Sequence, residues 1–446
     1  MNKTGNKEKI PTDNERFGAR RKRGVKRFGW RAVQLLPLPA PSCRTLGVSG
    51  RQHISQICQT IEKTNIESNK METKISKLYN SSNRIVIKSK GCYQYDADGK
   101  TYIDFESGVW CTNIGHNHER MIHAMESQLN ESIHHGYRFS NYQAEDLSQK
   151  LLQLAGFNTG SSVFLSSGSE AVNLAITIAR HLTKRKKVLK IEDTYLSAYG
   201  FGRIAEENDL LVSVKFNDSE AIENIDFTEI SALVLETGAA SIAPVRFPND
   251  DFVKKLVETS IQNKCYIIAE EVTTGMGRTG KWFGFQHYDI IPNMVVTGKG
   301  LGNGYPISAV TMDMQTTKAF EAEPFRYAQS HQNDPLGCAV AMEVIKIIED
   351  ECLIQKCNET GCYFKEKLEQ IKINHHSKIK EIRARGLMLA IEFESNVDGE
   401  KIADCLFDKG FIVGCKANAL RFLPPLVIHK TDIDRMIQQL NELLFV

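Results

Sequence analysis

Residues 265–272 read CYIIAEEV, and residues 293–304 read NMVVTGKGLGNG. Each is a short apolar run, rich in β-branched residues, that stops at functional-looking positions. The first ends in Glu270, Glu271 and Val272. The second ends in Gly298, Lys299 and Gly300. Runs of this length without polar alternation read as strands buried on both faces. Working outward, the same signature recurs in SVFLSS (162–167), KVLKIED (187–193), LLVSVKF (210–216), SALVLE (231–236) and SAVTMD (308–313). Helical runs separate them, among them EAVNLAITIARHLTK (170–184) and DDFVKKLVETSIQNK (250–264). Alternating apolar strands and helices make an α/β domain around a mostly parallel sheet, here of seven strands. From about Thr317 the order changes to long helices, then IKEIRARGLMLAIEFE (379–394) and a last α/β element, which reads as a smaller second domain.

Composition sets the class. The 446 residues are 41% hydrophobic and 25% charged, within the range of a globular protein and outside that of disordered, collagenous or disulfide-scaffold chains. Lys plus Arg number 56 and Asp plus Glu 54, a net charge of +2, which gives no reason to expect nucleic acid or a membrane as partner. No apolar stretch reaches the roughly 18 residues of a membrane helix, so a soluble protein is expected. The eleven cysteines (43, 58, 92, 111, 265, 338, 352, 357, 362, 405 and 415) are odd in number and form no CxxC pair. They read as free thiols in a reducing cytoplasm, with no metal site among them.

The first seventy residues differ from the rest. Arg16 to Arg31 holds eight basic residues, and no acid follows Glu15 until Glu62. An organelle presequence is Arg-rich and acid-poor, and Glu8, Asp13 and Glu15 argue against one. A solvated, functionally silent tail is the preferred reading. Met71, opening METKISKLYNSSN, is an alternative beginning. The expected organisation is a basic tail (1–70), an N-terminal segment serving the small domain and the site (71–125), a large domain (126–316) and a C-terminal small domain (317–446).

In open α/β sheets ligands sit beyond the carboxyl ends of the strands. Three strand ends are chemically distinctive. Lys299 lies between two glycines, with no bulky neighbour to keep a flat molecule from its amine. Glu270 places a carboxylate where it could face the nitrogen of a heterocycle. Ser167-Gly168-Ser169 leads into a helix whose first N–H groups suit a phosphate. Taken alone, these read equally as a surface lysine, a solvated acidic pair and an ordinary capped turn. Together they supply an amine, a ring-nitrogen partner and a phosphate cradle, which are the needs of pyridoxal 5′-phosphate.

At this point the sequence resembles the class III aminotransferases, the ω- or acetylornithine-type family of pyridoxal-phosphate fold type I. The resemblance spans about residues 83–446 through SSGSEA, EEVTTGMGRTGKWFGFQHYDIIPNMVVTGKGLGNGYP, DPLGCAVA and LRFLPPLVI. It implies that Lys299 forms the Schiff base and carries the proton, and that Gly168 and Ser169 bind the phosphate. Tyr195 and Val272 would pack on the two faces of the ring. Ser330 would reach the phosphate of a neighbouring subunit, which implies a homodimer with shared sites. Trp110 would line the substrate pocket, and His116 reads as structural. The chain departs from the family at Glu270, usually Asp, and at Thr273, where a glutamine usually meets the ring hydroxyl. Leu196 and Ala198 replace residues beside the stacking aromatic, Ala198 standing for an arginine. QSHQND (329–334) replaces the usual TFGGN.

The implied function is a transaminase passing an amino group from an amino acid or amine to a 2-oxo acid by ping-pong half-reactions. A decarboxylase, racemase or aminomutase on the same fold, and a catalytically silent cofactor- or nucleic-acid-binding protein, remain as alternatives. In ornithine-type relatives a glutamate five residues beyond the position of Glu236 masks the arginine of the RxxPPL motif. Here that position is Ser241, so Arg421 is expected to be unmasked and free to hold a substrate carboxylate, a pairing similar to that of the decarboxylating transaminases of the family.

Overall fold

The computed structural model of the chain describes residues 75, 76, 78, 82–202, 209–239 and 245–445. The expected tail, residues 1–70, lies outside the described residues, as does Ser241. By contacts the chain divides into Met1–Ser81 and Ser82–Val446. The elements below belong to the second unit.

In chain order the strands are β1 (Val86–Lys90), β2 (Tyr93–Asp96), β3 (Thr101–Asp104), β4 (Gly160–Leu165), β5 (Lys187–Ile191), β6 (Leu211–Val214), β7 (Ile230–Glu236) and β8 (Tyr266–Glu270). There follow β9 (Met294–Thr297), β10 (Ser308–Asp313), β11 (Ile379–Arg385), β12 (Met388–Phe393), β13 (Phe411–Ile412), β14 (Gly414–Lys416) and β15 (Ala419–Phe422). The helices are α1 (Glu119–Glu131), α2 (Tyr142–Ala155), α3 (Gly168–Thr183), α4 (Asp250–Gln262), α5 (Met314–Ala322), α6 (Pro335–Asp350), α7 (Leu353–Asn374), α8 (Gly399–Asp408) and α9 (Lys430–Phe445).

The seven apolar runs form one sheet in the order β4-β10-β9-β8-β7-β5-β6. Its pairings are parallel except those of β10, which is antiparallel to both β4 and β9. Only residues 298–307 separate β9 from β10. A parallel crossover needs roughly a dozen residues or more, usually with a helix, so the chain must double back. Because β10 opposes both neighbours, β4 runs with β7, β8 and β9, and the carboxyl ends of all four share one edge. The runs are apolar throughout because both faces are covered: β7 is buried at every position. On one face α3 packs Val172, Ala175, Ile176 and Ala179, each fully buried, against β7 to β10. On the other, Leu189, Leu233 and Ile267 meet Phe252, Val253 and Leu256 of α4.

Two four-stranded sheets complete the unit, β1-β2-β3-β13 and β11-β12-β15-β14. Arg421 is a central position of the second. It faces Ala390 on β12 and Gly414 on β14. The nine described cysteines are all free. Among the described residues no helix is long and apolar enough to cross a membrane.

Candidate active site

Lys299 follows β9 in a left-handed conformation, φ 42°. Its glycine neighbours are there for space: a Cβ on Gly300 would lie 2.6 Å from Asn113 Nδ2, and one on Gly298 3.3 Å from Gly168 Cα. The amine donates to Thr273 Oγ1 at 2.8 Å and lies 4.6 Å from the centre of the Trp110 ring. Burial pushes the ammonium below the ordinary lysine range, against the opposing pull of Glu270, Cys111 and Glu236. Desolvation disfavours the charged form of a lysine, and that makes the free amine accessible.

Three carboxylates stand at the carboxyl ends of β7 and β8, the next two strands across the sheet. Glu236 and Glu270 are register partners on β7 and β8, each 5% exposed. One oxygen of Glu270 accepts the Val272 N–H at 3.0 Å. Burial raises its carboxyl, with Lys299 pulling it back. Glu236 accepts the Tyr195 N–H at 3.4 Å, and burial with the charge of Glu270 pushes it up to about 8. Glu271 faces the other way, as alternation along a strand requires. It is fully buried, taking the Thr274 hydroxyl at 2.6 Å and the N–H groups of Gly284 at 2.7 Å and Phe285 at 2.8 Å. Glu271 therefore holds the loop after β8, and Glu270 is the carboxylate on which the Lys299 charge acts.

The third strand end is the start of α3. Ser167 caps the helix, accepting the Glu170 N–H at 3.3 Å, while Glu170 Oε2 takes the Ser166 and Ser167 N–H groups at 3.0 and 3.1 Å. The N–H groups of Gly168 and Ser169 find no acceptor among the described residues. Ser169 Oγ accepts from Ala198 N at 2.9 Å, which leaves its own proton free to donate. A Cβ on Gly168 would come within 2.8 Å of a Val272 methyl. Val272, Gly168 and Gly298 thus pack too closely for any larger side chain. Free N–H donors at a helix N-terminus, a free serine hydroxyl, a desolvated amine and a buried carboxylate together fit pyridoxal phosphate. Tyr195, on the loop after β5, is 38% exposed. Ser330 is exposed, and its neighbour Gln329 donates to Ser166 Oγ at 3.0 Å.

Trp110 joins this cluster to the small sheets. Two basic groups lie close to its ring, Lys299 Nζ at 4.6 Å and the Arg421 guanidinium at 4.8 Å from its centre. Arg421 is not unmasked as expected. Glu106 holds it with both oxygens, Nε to Oε1 at 3.2 Å and Nη2 to Oε2 at 3.2 Å. The pair lies flat against Gly414, where a Cβ would meet Arg421 Nε at 2.4 Å and Glu106 Oε1 at 2.5 Å. Burial raises the Glu106 carboxyl, and Arg421 lowers it only in part. The turn bearing Glu106 and Trp110 is itself tied to Asp104, which accepts the Glu106 N–H at 2.8 Å and the Gly108 N–H at 2.9 Å. His116 Nε2 lies 2.8 Å from the same carboxylate, a structural placement.

Sequence reasoning missed Glu106 and Arg278. Arg278 is completely buried and ties three segments together. Its guanidinium donates to Ser107 Oγ at 3.0 Å, Asn113 Oδ1 at 2.7 Å, Leu387 O at 3.1 Å and Pro424 O. An arginine in the glycine-rich GMGRTG was a usable signal. Glu106 had none, since nothing near it in sequence marks it as the partner of Arg421.

The family model "Aminotransferase class-III" matches residues 76–198 and 191–444. Among curated proteins, acetylornithine aminotransferase of Methanocaldococcus jannaschii is 32% identical over 80% of this chain and 92% of its own length. That of Aquifex aeolicus is 31% identical over 80% and 96%. Ornithine aminotransferase of Oceanobacillus iheyensis is 31% identical over 81% and 93%. The crystal structure of a Bacillus anthracis aminotransferase shares the fold with a TM-score of 0.77, at 24% identity, covering 90% of this chain and all of the other.

Proposed function

The chain belongs to the class III aminotransferases, and from that premise we propose that it passes an amino group from an amino acid or amine to a 2-oxo acid in two half-reactions. The observation that carries the reading is the Lys299 amine, desolvated and hydrogen-bonded to Thr273 at 2.8 Å, beside two buried strand-end carboxylates.

Pyridoxal phosphate, when bound, supplies an electron sink for the bond broken at the substrate carbon. Gly168 and Ser169 would hold its phosphate, Lys299 its aldehyde carbon, Glu270 its ring nitrogen, and Val272 and Tyr195 its faces. Thr273 stands where the ring hydroxyl would be met. Lys299 then takes and returns the proton at the substrate carbon, a task suited to an amine whose charged form is disfavoured by burial. Trp110 walls the pocket between Lys299 and Arg421. Arg421 receives the substrate carboxylate, and Glu106 occupies that guanidinium when no carboxylate is there. The relatives bear the names of acetylornithine and ornithine aminotransferases. With Ala198 in place of an arginine, we assign any carboxylate of the donor to Arg421 instead.

Two copies would complete the site, Ser330 of one reaching the phosphate of the other. Its exposure supports this, as do exposed Ile133 (51%), Tyr137 (62%), Phe139 (71%) and Tyr142 (85%), an apolar stretch of the kind that pairs with another chain.

The test is spectroscopic. The purified enzyme is mixed with a panel of amines, and loss of the cofactor's visible absorbance is followed. Full recovery on adding a 2-oxo acid such as pyruvate or 2-oxoglutarate is the expected result. Release of carbon dioxide would replace the reading by a decarboxylase.

A further inference from the structure

The substituted segment QSHQND contributes two side chains that the site above does not use, His331 and Asp334. A third group meets them from 200 positions earlier in the chain. His134, which follows α1, places Nδ1 2.5 Å from Asp334 Oδ1. His331 places Nδ1 2.7 Å from Oδ2 of the same carboxylate. The two imidazoles are 5.1 Å apart, tilted by 55°. One atom from each of the three residues lies within 4.8 Å of the other two.

The backbone under this cluster is anchored. Asn333 sits in a left-handed conformation, φ 58°. Its side-chain oxygen takes the Phe164 N–H of β4 at 2.9 Å, and its main-chain carbonyl takes the Asn141 amide at 2.9 Å. Asp334 is the N-cap residue of α6, where an aspartate ordinarily turns its carboxylate back onto the helix N–H groups. It makes no such bond here. Both oxygens go to the imidazoles instead, although the local sequence invites the cap.

We propose that His134, His331 and Asp334 form a binding site for a divalent transition metal of the zinc class. Two imidazole nitrogens and a carboxylate oxygen are ligands of that class, with water completing the shell. Bonds of about 2.0–2.2 Å in tetrahedral geometry space the ligand atoms roughly 3.3 Å apart. The present N···O separations therefore need to open by less than about 1 Å. On binding, each imidazole would present its Nδ1 lone pair to the metal and carry its single proton on Nε2. The metal would clip the segment bearing Ser330, and Gln329 with its bond to Ser166, to the chain after α1. The proposal rests on these three side chains and is independent of the aminotransferase reading.

The experiment uses the full chain, treated with a chelator and dialysed. It is titrated with Zn²⁺ alone, at a pH above neutrality, against a chromogenic competitor. Co²⁺ serves as a second probe, since its visible bands report mixed nitrogen and oxygen ligation. One equivalent per chain is expected. Losing an outer partner of a ligand already costs about 10- to 100-fold in affinity, so His134→Ala and His331→Gln should each weaken binding by at least about tenfold. Circular dichroism checks folding, and sedimentation checks that the variants keep the wild-type oligomeric state, since both positions adjoin the surface assigned to the second copy. The proposal is overturned if the wild type takes up no equivalent of Zn²⁺, or if both variants bind it as the wild type does.

Discussion

Glu106 and Arg421, 315 positions apart in the chain, meet in a two-pronged ion pair with both N···O distances at 3.2 Å. This pairing engages the Nε/Nη2 edge of the guanidinium, so a second carboxylate competes with Glu106 for that edge. A substrate carboxylate seated on that edge would displace Glu106, which burial already disposes toward the neutral form.

Glu106→Gln should therefore lower KM for 2-oxo acids by about tenfold, a gain of about 1.4 kcal/mol, and change the half-reaction with an uncharged amine little. In the wild type, KM for carboxylate substrates should fall as pH falls toward the raised Glu106 value, because protonation releases Arg421. The variant should lack this dependence. A higher KM in Glu106→Gln would mean that Glu106 assists binding. Arg421→Ala should cost about 2–5 kcal/mol with carboxylate substrates and much less with uncharged amines. Equal losses for both would make Arg421 structural.

Lys299→Ala should abolish turnover and the visible absorbance of the resting enzyme. Arginine at this position keeps a positive charge and should not rescue, because its guanidinium does not lose a proton near neutrality. Steady-state assays and absorbance spectra decide the matter, and wild-type turnover in either variant would dismantle the reading.

The two adjacent glutamates should separate cleanly. Glu270→Gln should lower kcat by several orders of magnitude with little change in unfolding. Glu271→Gln should act mainly on stability, by about 1–3 kcal/mol, since it disturbs a buried acceptor of three hydrogen bonds. Parallel kinetics and denaturant titrations give both readings, and a reversed pattern would exchange the roles.

Burial and the charge of Glu270 push Glu236 up to about 8, toward the protonated form at neutral pH. Glu236→Gln should thus work nearly as well as wild type there and lose any alkaline limb near pH 8 in the rate profile. The sign for stability follows from the raised value. The contribution of Glu236 is fully present below its ordinary 4.5 and is lost as pH rises through about 8. The variant should flatten that decline. A large loss of rate at neutral pH would show that the ionised carboxylate is needed.

Arg278→Lys should destabilise the protein by about 2–4 kcal/mol, because an ammonium cannot reach Ser107, Asn113, Leu387 and Pro424 together. Turnover should fall as well, since Ser107 lies in the turn that carries Glu106 and Trp110. Denaturant midpoints with kinetics check this. An unchanged midpoint would show that the hub is not needed.

The sequence by itself determined the seven-stranded sheet and three strand ends. A strand covered on both faces must be apolar along its whole length, and such runs are visible without knowing their neighbours. The candidates Lys299, Gly168, Ser169 and Glu270 were visible for the same reason, each standing where an apolar run stops, and their proposed roles rest on the experiments above. Only the tertiary structure decided which acid faces Arg421, which cations flank Trp110, what Arg278 ties together and why Asp334 leaves its helix uncapped. Each depends on loops and strands from distant parts of the chain arriving within about 5 Å of one another. Electrostatic and hydrogen-bonding partners are set by that separation in space, and local composition carries no record of it.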